Sequence, residues 1–317
     1  MSDLNDLIIY HPELAPSLHK FGFDIPLGDD RSELVFNNLK KTFPALRHTI
    51  LDDIDKSEDF DLLLAHDKKF VDLLSRKDKG TEEILRVYGA EKEIENFDYA
   101  SFMKSVRLQV GATSLAMEKC LGSNFCFFLG GGMHHASSSQ GDGFCLVNDI
   151  VIGIRKLQKS GMIKKALIID IDAHKGDGAP EITKNDDSIF TLSIHMKDGW
   201  PYPNETPGCQ IANDIEIEIS VGEEDLYLGK LKEGLKSINL AQYDLAVVVA
   251  GADPYEKDEL LSTSLLNLSK EQMLARDILV YKMLEDVPQT WLMAGGYGEN
   301  SHEIYEQFLM KVLHLRS

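Results

Sequence analysis

Short, unbroken apolar runs recur along this chain at Phe125 to Leu129, Ala166 to Ile171, Leu245 to Ala250 and Trp291 to Ala294. Runs of this length without polar alternation read as strands buried on both faces, the condition of strands inside a parallel sheet. Ile215, Ile217 and Ile219 instead alternate with Glu216 and Glu218, which predicts a strand with one wet face near the edge of the sheet. Helical spacing fills the intervals. Ile150, Ile154 and Leu157 share one helical face before Gly161 offers a stop, and Ser269 with Gln272 forms a capping box behind Leu268. Glu223, Glu224 and Asp225 read as the acidic first turn of a helix that points Leu228, Leu231 and Leu235 inward. Strand alternating with helix predicts an α/β fold around a mostly parallel sheet. No Pro/Gly/Ser-rich linker, low-complexity tract or repeat divides the chain, so residues 1–317 are expected to form one domain.

Composition narrows the function classes. An apolar share of 43% over 317 residues supports a substantial core. With 33 basic against 52 acidic residues the net charge is −19, which disfavours direct nucleic-acid binding, because that depends on Lys and Arg neutralising phosphates. The same balance suits a cationic substrate. The first residues carry no basic region followed by an apolar stretch, and no window approaches the roughly 20 apolar residues that span a bilayer, so a cytoplasmic protein without membrane contact is expected. Cys120, Cys126, Cys145 and Cys209 form no CxxC pair, which predicts reduced thiols and neither a disulfide framework nor a cysteine zinc site.

The chemistry gathers just after the apolar runs. Gly130 to Asn148 reads GGGMHHASSSQGDGFCLVN, DIDAHKGDG begins at Asp170, GADP contains Asp253 and GGYG contains Tyr297. In an open parallel sheet ligands bind beyond the carboxyl ends of the strands, so four runs ending in polar groups imply one convergent site. Asp172 and His174 are separated by one residue, which points both side chains the same way at an extended strand end; Asp253 can supply a third ligand. An isolated D-x-H would merely hydrogen-bond loop backbone, but here it stands among matching strand-end polar groups. One imidazole and two carboxylates leave coordination positions open, as suits a catalytic zinc or ferrous ion. A water acidified by such an ion can attack an amide without a covalent nucleophile, and Ser137 to Ser139 lack the G-x-S-x-G elbow that a serine mechanism needs. Tyr297, in its glycine-rich turn, is placed to donate its hydroxyl to a developing oxyanion. Gly132 and Gly296 read as positions where the chain approaches metal and substrate without a Cβ in the way.

The pieces GGxHHA, GFCxxNDI, DIDxHxGDG, GxDP and GGYG, in this order, resemble those of the zinc-dependent histone deacetylase family and its bacterial relatives; IIYHPE and the segment His66 to Val71 resemble it too. The resemblance implies a single-domain, three-layer arginase/deacetylase-like fold with one catalytic metal on Asp172, His174 and Asp253. It also implies that Asp170 pairs with His134 and Asp177 with His135, fixing each tautomer. His135 is then the general base and later the acid to the leaving amine, with His134 assisting electrostatically. A structural potassium ion is implied at Asp170, Asp172, His174, Ser193 and Ile194, partly through backbone oxygens. Phe144 matches one wall of a narrow tunnel for a linear alkyl chain, with Trp200 or Tyr202 expected opposite.

Some positions depart from the pattern. Lys175 stands where many relatives have a second His, and GWPYPNETPG replaces the commoner YPGTG. Leu260 occupies a rim position where polyamine-selective relatives can carry an acidic residue, so the expected substrate is an acyl-lysine, acetyl foremost, in a protein or peptide. The alternative is an acetylpolyamine or another small acylated amine. A binuclear ureohydrolase needs D-x-H-x-D and a second D-x-D, and neither is present. A catalytically silent acyl-lysine-binding scaffold is disfavoured, because the ligands, His135 and Tyr297 are all in place.

Overall fold

The parity of each apolar run sets the layers. In the computed structural model, which describes residues 4–14, 17–28, 30–90 and 94–316, the strands are β1 (Ile8–Ile9), β2 (Phe125–Phe128), β3 (Ala166–Asp170), β4 (Ile189–Met196), β5 (Ile215–Ile219), β6 (Leu245–Val249) and β7 (Gln289–Leu292). They form one seven-stranded sheet in the order β1-β2-β7-β6-β3-β4-β5, parallel throughout. Successive side chains leave a strand on opposite faces. Phe125, Phe127, Val248 and Trp291 pack on one side, and Cys126, Phe128, Val247 and Leu292 on the other. Both faces are dry, which is why the central runs show no polar alternation.

The helices in chain order are α1 (Arg31–Thr42), α2 (Asp59–Leu62), α3 (Lys68–Leu74), α4 (Lys77–Val87), α5 (Tyr99–Ser123), α6 (Asp149–Lys159), α7 (Gly178–Thr183), α8 (Tyr227–Lys236), α9 (Lys270–Met283) and α10 (His302–Arg316). α1, α8, α9 and α10 cover the first face through Phe36, Leu231, Met273 and Phe308. α2 to α7 cover the second through residues such as Leu62, Phe70, Met117 and Ile150. The result is a single α/β domain in three layers, as expected.

Most local signals act where they were read. Ser269 and Gln272 form the capping box of α9, each side chain bonding the other's backbone N–H at 3.2 and 2.9 Å. α6 starts under an Asn148 cap and stops before Gly161, whose φ of 78° ends the helix. The acidic stretch at Glu224 to Leu226 is a 3-10 turn, and α8 begins one residue later. β5 lies at the sheet edge with Ile215 and Ile217 half-buried and Glu218 exposed. The apolar-run criterion passed over β4, because Thr191, Ser193 and His195 interrupt its pattern; all three are nevertheless buried. Among the described residues no helix is long and apolar enough to cross a membrane, and the four cysteines are free thiols.

Candidate metal centre and active site

β2, β7, β6 and β3 are neighbours in the sheet, and the loops leaving their carboxyl ends carry the predicted chemistry. After β3 the chain turns on its own carboxylates: the Asp172 N–H donates to Asp170 Oδ1 at 3.1 Å and the His174 N–H to Asp172 Oδ1 at 3.0 Å. Asp253 arrives from the loop after β6, and its Oδ1 accepts the Ala173 N–H at 3.0 Å. His174 Nδ1 lies 3.2 Å from Asp172 Oδ1 and 3.1 Å from Asp253 Oδ2. The three ligand atoms lie within 4.8 Å of one another, and all three residues are buried. Burial and the charge of Asp172 raise the Asp253 carboxyl to about 7. Burial opposes the imidazolium of His174, yet Asp172 and Asp253 outweigh it and raise it to about 9. Negative charge gathered this tightly out of water is the electrostatic condition that a divalent cation relieves.

The paired imidazoles divide by environment. His134 Nδ1 bonds Asp170 Oδ2 at 2.7 Å, and His135 Nδ1 bonds Asp177 Oδ1 at 2.8 Å, so each carboxylate directs the other ring nitrogen away from itself. The rings lie 3.9 Å apart between centroids. Burial disfavours a charge on His134, but Asp170 and Asp172 override it and raise the ring to about 10. Burial and the charge on His134 together lower His135 to about 4, with Asp177 opposing. The surroundings therefore favour the imidazolium at His134 and the neutral imidazole, with Nδ1–H toward Asp177, at His135.

A cavity of about 120 Å³ opens over this cluster, bounded by His134, His135, His174, Phe144 and Tyr297. Tyr297 is buried, and burial with the charges of Asp253 and Asp172 holds its phenol well above the ordinary range, hence protonated. Its backbone is pinned on two sides: Asp258 Oδ2 accepts the Tyr297 N–H at 2.7 Å, and Arg31 donates to Gly296 O at 2.6 Å and Ala294 O at 2.7 Å. Phe144 sits at φ 63° after Gly143 at φ 49°, in a tight turn closed by Asp142 and Cys145. An aromatic residue held at positive φ is uncommon, and here the turn brings the ring to the cavity wall.

Of the two aromatics expected opposite Phe144, Tyr202 is 49% exposed, and Trp200 packs edge-on against His135 at 4.5 Å and His174 at 5.7 Å, where a Cβ at Gly143, next to Phe144, would stand 2.5 Å from it. The rings nearest Phe144 across the cavity are Tyr297 at 6.0 Å and Tyr88 at 6.4 Å, because α4 delivers Tyr88 from a distant part of the chain. A Cβ at Gly132, which lines the cavity, would stand 2.8 Å from that of Ala294, and one at Gly296 would stand 2.8 Å from the Tyr305 hydroxyl. Gly251 and Gly295 leave room for the carboxylates: a Cβ at Gly251 would stand 2.6 Å from Asp253 Oδ1 and within clash distance of Asp172 Oδ2, and one at Gly295 would meet Asp172 Oδ2 at 2.5 Å and Asp253 Oδ2 at 2.7 Å. Leu260 is half-buried and packs on the cluster that includes Phe144 and Tyr297. Asp170 and Ser193 face each other in register on β3 and β4, with Ile194 next on β4.

Several supporting residues escaped the sequence reading. Asp149 accepts from the backbone of Gly132 at 3.0 Å and Met133 at 2.7 Å and so shapes the turn before the His pair. The Tyr305 hydroxyl donates to Met293 O at 2.9 Å and accepts the Ala252 N–H at 3.1 Å, joining the loops after β6 and β7. Fully buried Arg276 donates to Ile171 O and Gly251 O at 2.9 Å, beneath the ligand loops. A signal for it existed: Arg276 falls between Met273 and Val280 on the apolar stripe of α9, where a charge is out of place.

A parallel α/β sheet bears, at its carboxyl edge beside a cavity, a buried carboxylate–imidazole cluster with the geometry that could hold a cation. The family description "Histone deacetylase domain" matches residues 25–312, and this chain belongs to that family. Among curated relatives it is 30% identical over 197 residues to an uncharacterized protein of Picosynechococcus sp., covering 62% of this chain and 63% of that one. It is also 30% identical to Histone deacetylase 2 of Arabidopsis thaliana, over 62% of this chain and 51% of the relative. The acetoin utilization protein AcuC of Staphylococcus aureus is 33% identical over 50% of this chain and 41% of its own length. The chain thus spans less than two thirds of the curated relatives named here. The fold is shared with the solved HD domain of HDA15 (TM-score 0.72, 19% identity, 97% of this chain and 88% of that one). A histone deacetylase homolog from Aquifex aeolicus is equally similar (TM-score 0.72, 22% identity, 96% and 83%).

Proposed function

We propose that this protein hydrolyses the amide of an acyl-lysine side chain, acetyl-lysine first, in a protein or peptide. The observation that carries the reading is the convergence of Asp172, His174 and Asp253 within 4.8 Å at the floor of a cavity bordered by two imidazoles and a phenol. This donor set fits one divalent cation, zinc foremost and ferrous iron second, since two carboxylates and an imidazole are borderline ligands that leave positions free. When bound, such an ion supplies a Lewis acid that polarises an amide carbonyl and acidifies a water. Register between Asp170 and Ser193 supports a structural potassium ion among Asp170, Asp172, His174, Ser193 and Ile194.

The side chains then divide the work. His135, neutral and held by Asp177, takes a proton on Nε2 and passes it to the departing amine. His134, charged against Asp170, stabilises negative charge growing beside it. Tyr297 donates a hydrogen bond from its hydroxyl to the oxyanion and, being buried, stays protonated and so a donor across the working pH range. Phe144 and Tyr88 flank the alkyl chain, and Leu14, Leu18, Ile25 and Leu27 line the remainder of the cavity with apolar surface.

The test is a deacylation panel of acetyl-, butyryl- and longer acyl-lysine peptides and acetylpolyamines. It uses protein of known metal content, a chelated control, and a hydroxamate as inhibitor. Hydrolysis of acyl-lysine that chelation abolishes and zinc or ferrous iron restores is the expected result; a preference for acetylpolyamines selects the small-amine reading. Metal-loaded protein that cleaves no acylated amine overturns both.

A further inference from the structure

Two departures from the family pattern, Lys175 and the stretch after Gly199, meet in space behind His135. We propose that the 199–213 loop is a clamp for the Asp177–His135 pair, with Thr206 as the positioning residue and Lys175 as the anchor of the loop. This rests on the role given to His135 above.

Asp177 has two carboxylate oxygens and no solvent exposure. Oδ1 takes the His135 Nδ1–H at 2.8 Å, and Oδ2 takes the hydroxyl of Thr206. The Cys209 N–H donates to Thr206 Oγ1 at 3.1 Å, which leaves the single hydroxyl proton free to point at Asp177. Both oxygens are thereby committed, and the carboxylate cannot rotate without breaking a buried bond. The loop is in turn fastened at Cys209, whose carbonyl accepts from Lys175 Nζ at 3.2 Å. Lys175 Nζ also lies 2.6 Å from Glu216 Oε1 on β5, so the loop is tied to the sheet edge and to the segment that carries His174. Asn213 Nδ2 closes the far end by donating to Gly176 O at 3.2 Å. Trp200, at the near end, lays its edge on the His135 ring. The loop touches the ring and both ends of the His174–Asp177 segment, which is the geometry of a positioning device and not of a surface connection.

The experiment compares Thr206→Val, Thr206→Ser and Lys175→Met. Thr206→Val keeps the shape and removes the hydroxyl, and is expected to lower kcat on an acetyl-lysine peptide about 10- to 100-fold with KM within about twofold, the usual range for a residue one shell out. Thr206→Ser is expected to restore kcat, and Lys175→Met to repeat the loss in milder form. A second readout needs no turnover: in metal-free protein the downfield imidazole N–H resonance, assigned by its loss in His135→Asn, should shift in Thr206→Val and return in Thr206→Ser. Unchanged kcat and resonance in Thr206→Val overturn the clamp, as does a loss that serine fails to restore. Should Thr206→Val not fold, unchanged kcat and resonance in Lys175→Met overturn it equally. If wild-type protein cleaves no acyl-lysine, the functional reading fails while the resonance still decides the clamp.

Discussion

Adjacent residues of one type, His134 and His135, are pushed in opposite directions, because Asp170 and Asp172 outweigh burial and raise the first ring, whereas burial and the first ring's charge lower the second against the pull of Asp177. Tyr297 is the simplest residue to test in isolation. Its ring is packed near Phe144 and its backbone is held by Asp258 and Arg31, so removing the hydroxyl alone leaves the loop in place. Tyr297→Phe is expected to reduce kcat by about 10²- to 10³-fold with little change in KM or thermal midpoint, as for loss of one oxyanion donor. Steady-state kinetics on an acetyl-lysine peptide check this; near-native kcat would assign the phenol to packing. At this scale the candidate ligands Asp172 and His174 were legible from their one-residue separation, although the extended strand that spacing assumes ends at Asp170 and side-chain bonds from Asp170 and Asp172 to the backbone turn the pair. Tyr202 was less legible, since a loop residue's destination depends on what it packs against.

Elements position these residues, and α9 does so from below. Arg276 satisfies the carbonyls of Ile171 and Gly251, each beside a ligand loop, and its Nε donates to Asp277 Oδ1 at 2.8 Å. Burial pushes the Asp277 carboxyl up to about 6 even against the pull of Arg276. Arg276→Met would strand that carboxylate and two backbone acceptors out of water, and is expected to cost about 3–5 kcal/mol of unfolding free energy. Denaturant titration measures this, and adding Asp277→Leu should recover part of the loss. A single variant as stable as wild type would mean that water replaces the guanidinium. Strands proved more legible than such supports: continuous apolar runs identify β2, β3 and β6 because both faces of those strands are dry. β4 escaped because its buried Thr191, Ser193 and His195 find polar partners only in the folded molecule, such as Asp214 Oδ2, which accepts the Thr191 hydroxyl at 3.2 Å.

Across the whole molecule, His66 joins three distant segments. It precedes α3, its Nδ1–H donates to Ser137 O at 2.9 Å, and its Nε2 accepts the Asn148 N–H at 2.9 Å, at the start of α6. Burial lowers it from 6.5 to about 4. The unfolded chain therefore binds a proton as pH falls through 6.5 while the folded protein does not until about 4. Stability from this group is complete above 6.5 and is lost on acidification across that window, by about 3 kcal/mol at most. The difference in unfolding free energy between wild type and His66→Gln should shrink by that order from pH 7 to pH 4. A difference independent of pH would place the titration elsewhere.

From residues alone came the alternation of buried strand and helix, the trio Asp172, His174 and Asp253, and the paired imidazoles with Tyr297. Asp172 with His174 and His134 with His135 were legible within single short segments, whereas Asp253 and Tyr297, on other loops, were tied to them by the expectation that strand ends converge and by the family resemblance. Folding alone decided that Tyr88 stands near Phe144, that Gly251 and Gly295 leave room for the Asp172 and Asp253 carboxylates, that Thr206 meets Asp177 and Lys175 meets Cys209, and that Arg276 lies beneath the loops. Those relations join segments far apart in the chain, and they come into being when the loops pack against one another, since no periodicity reaches across such distances.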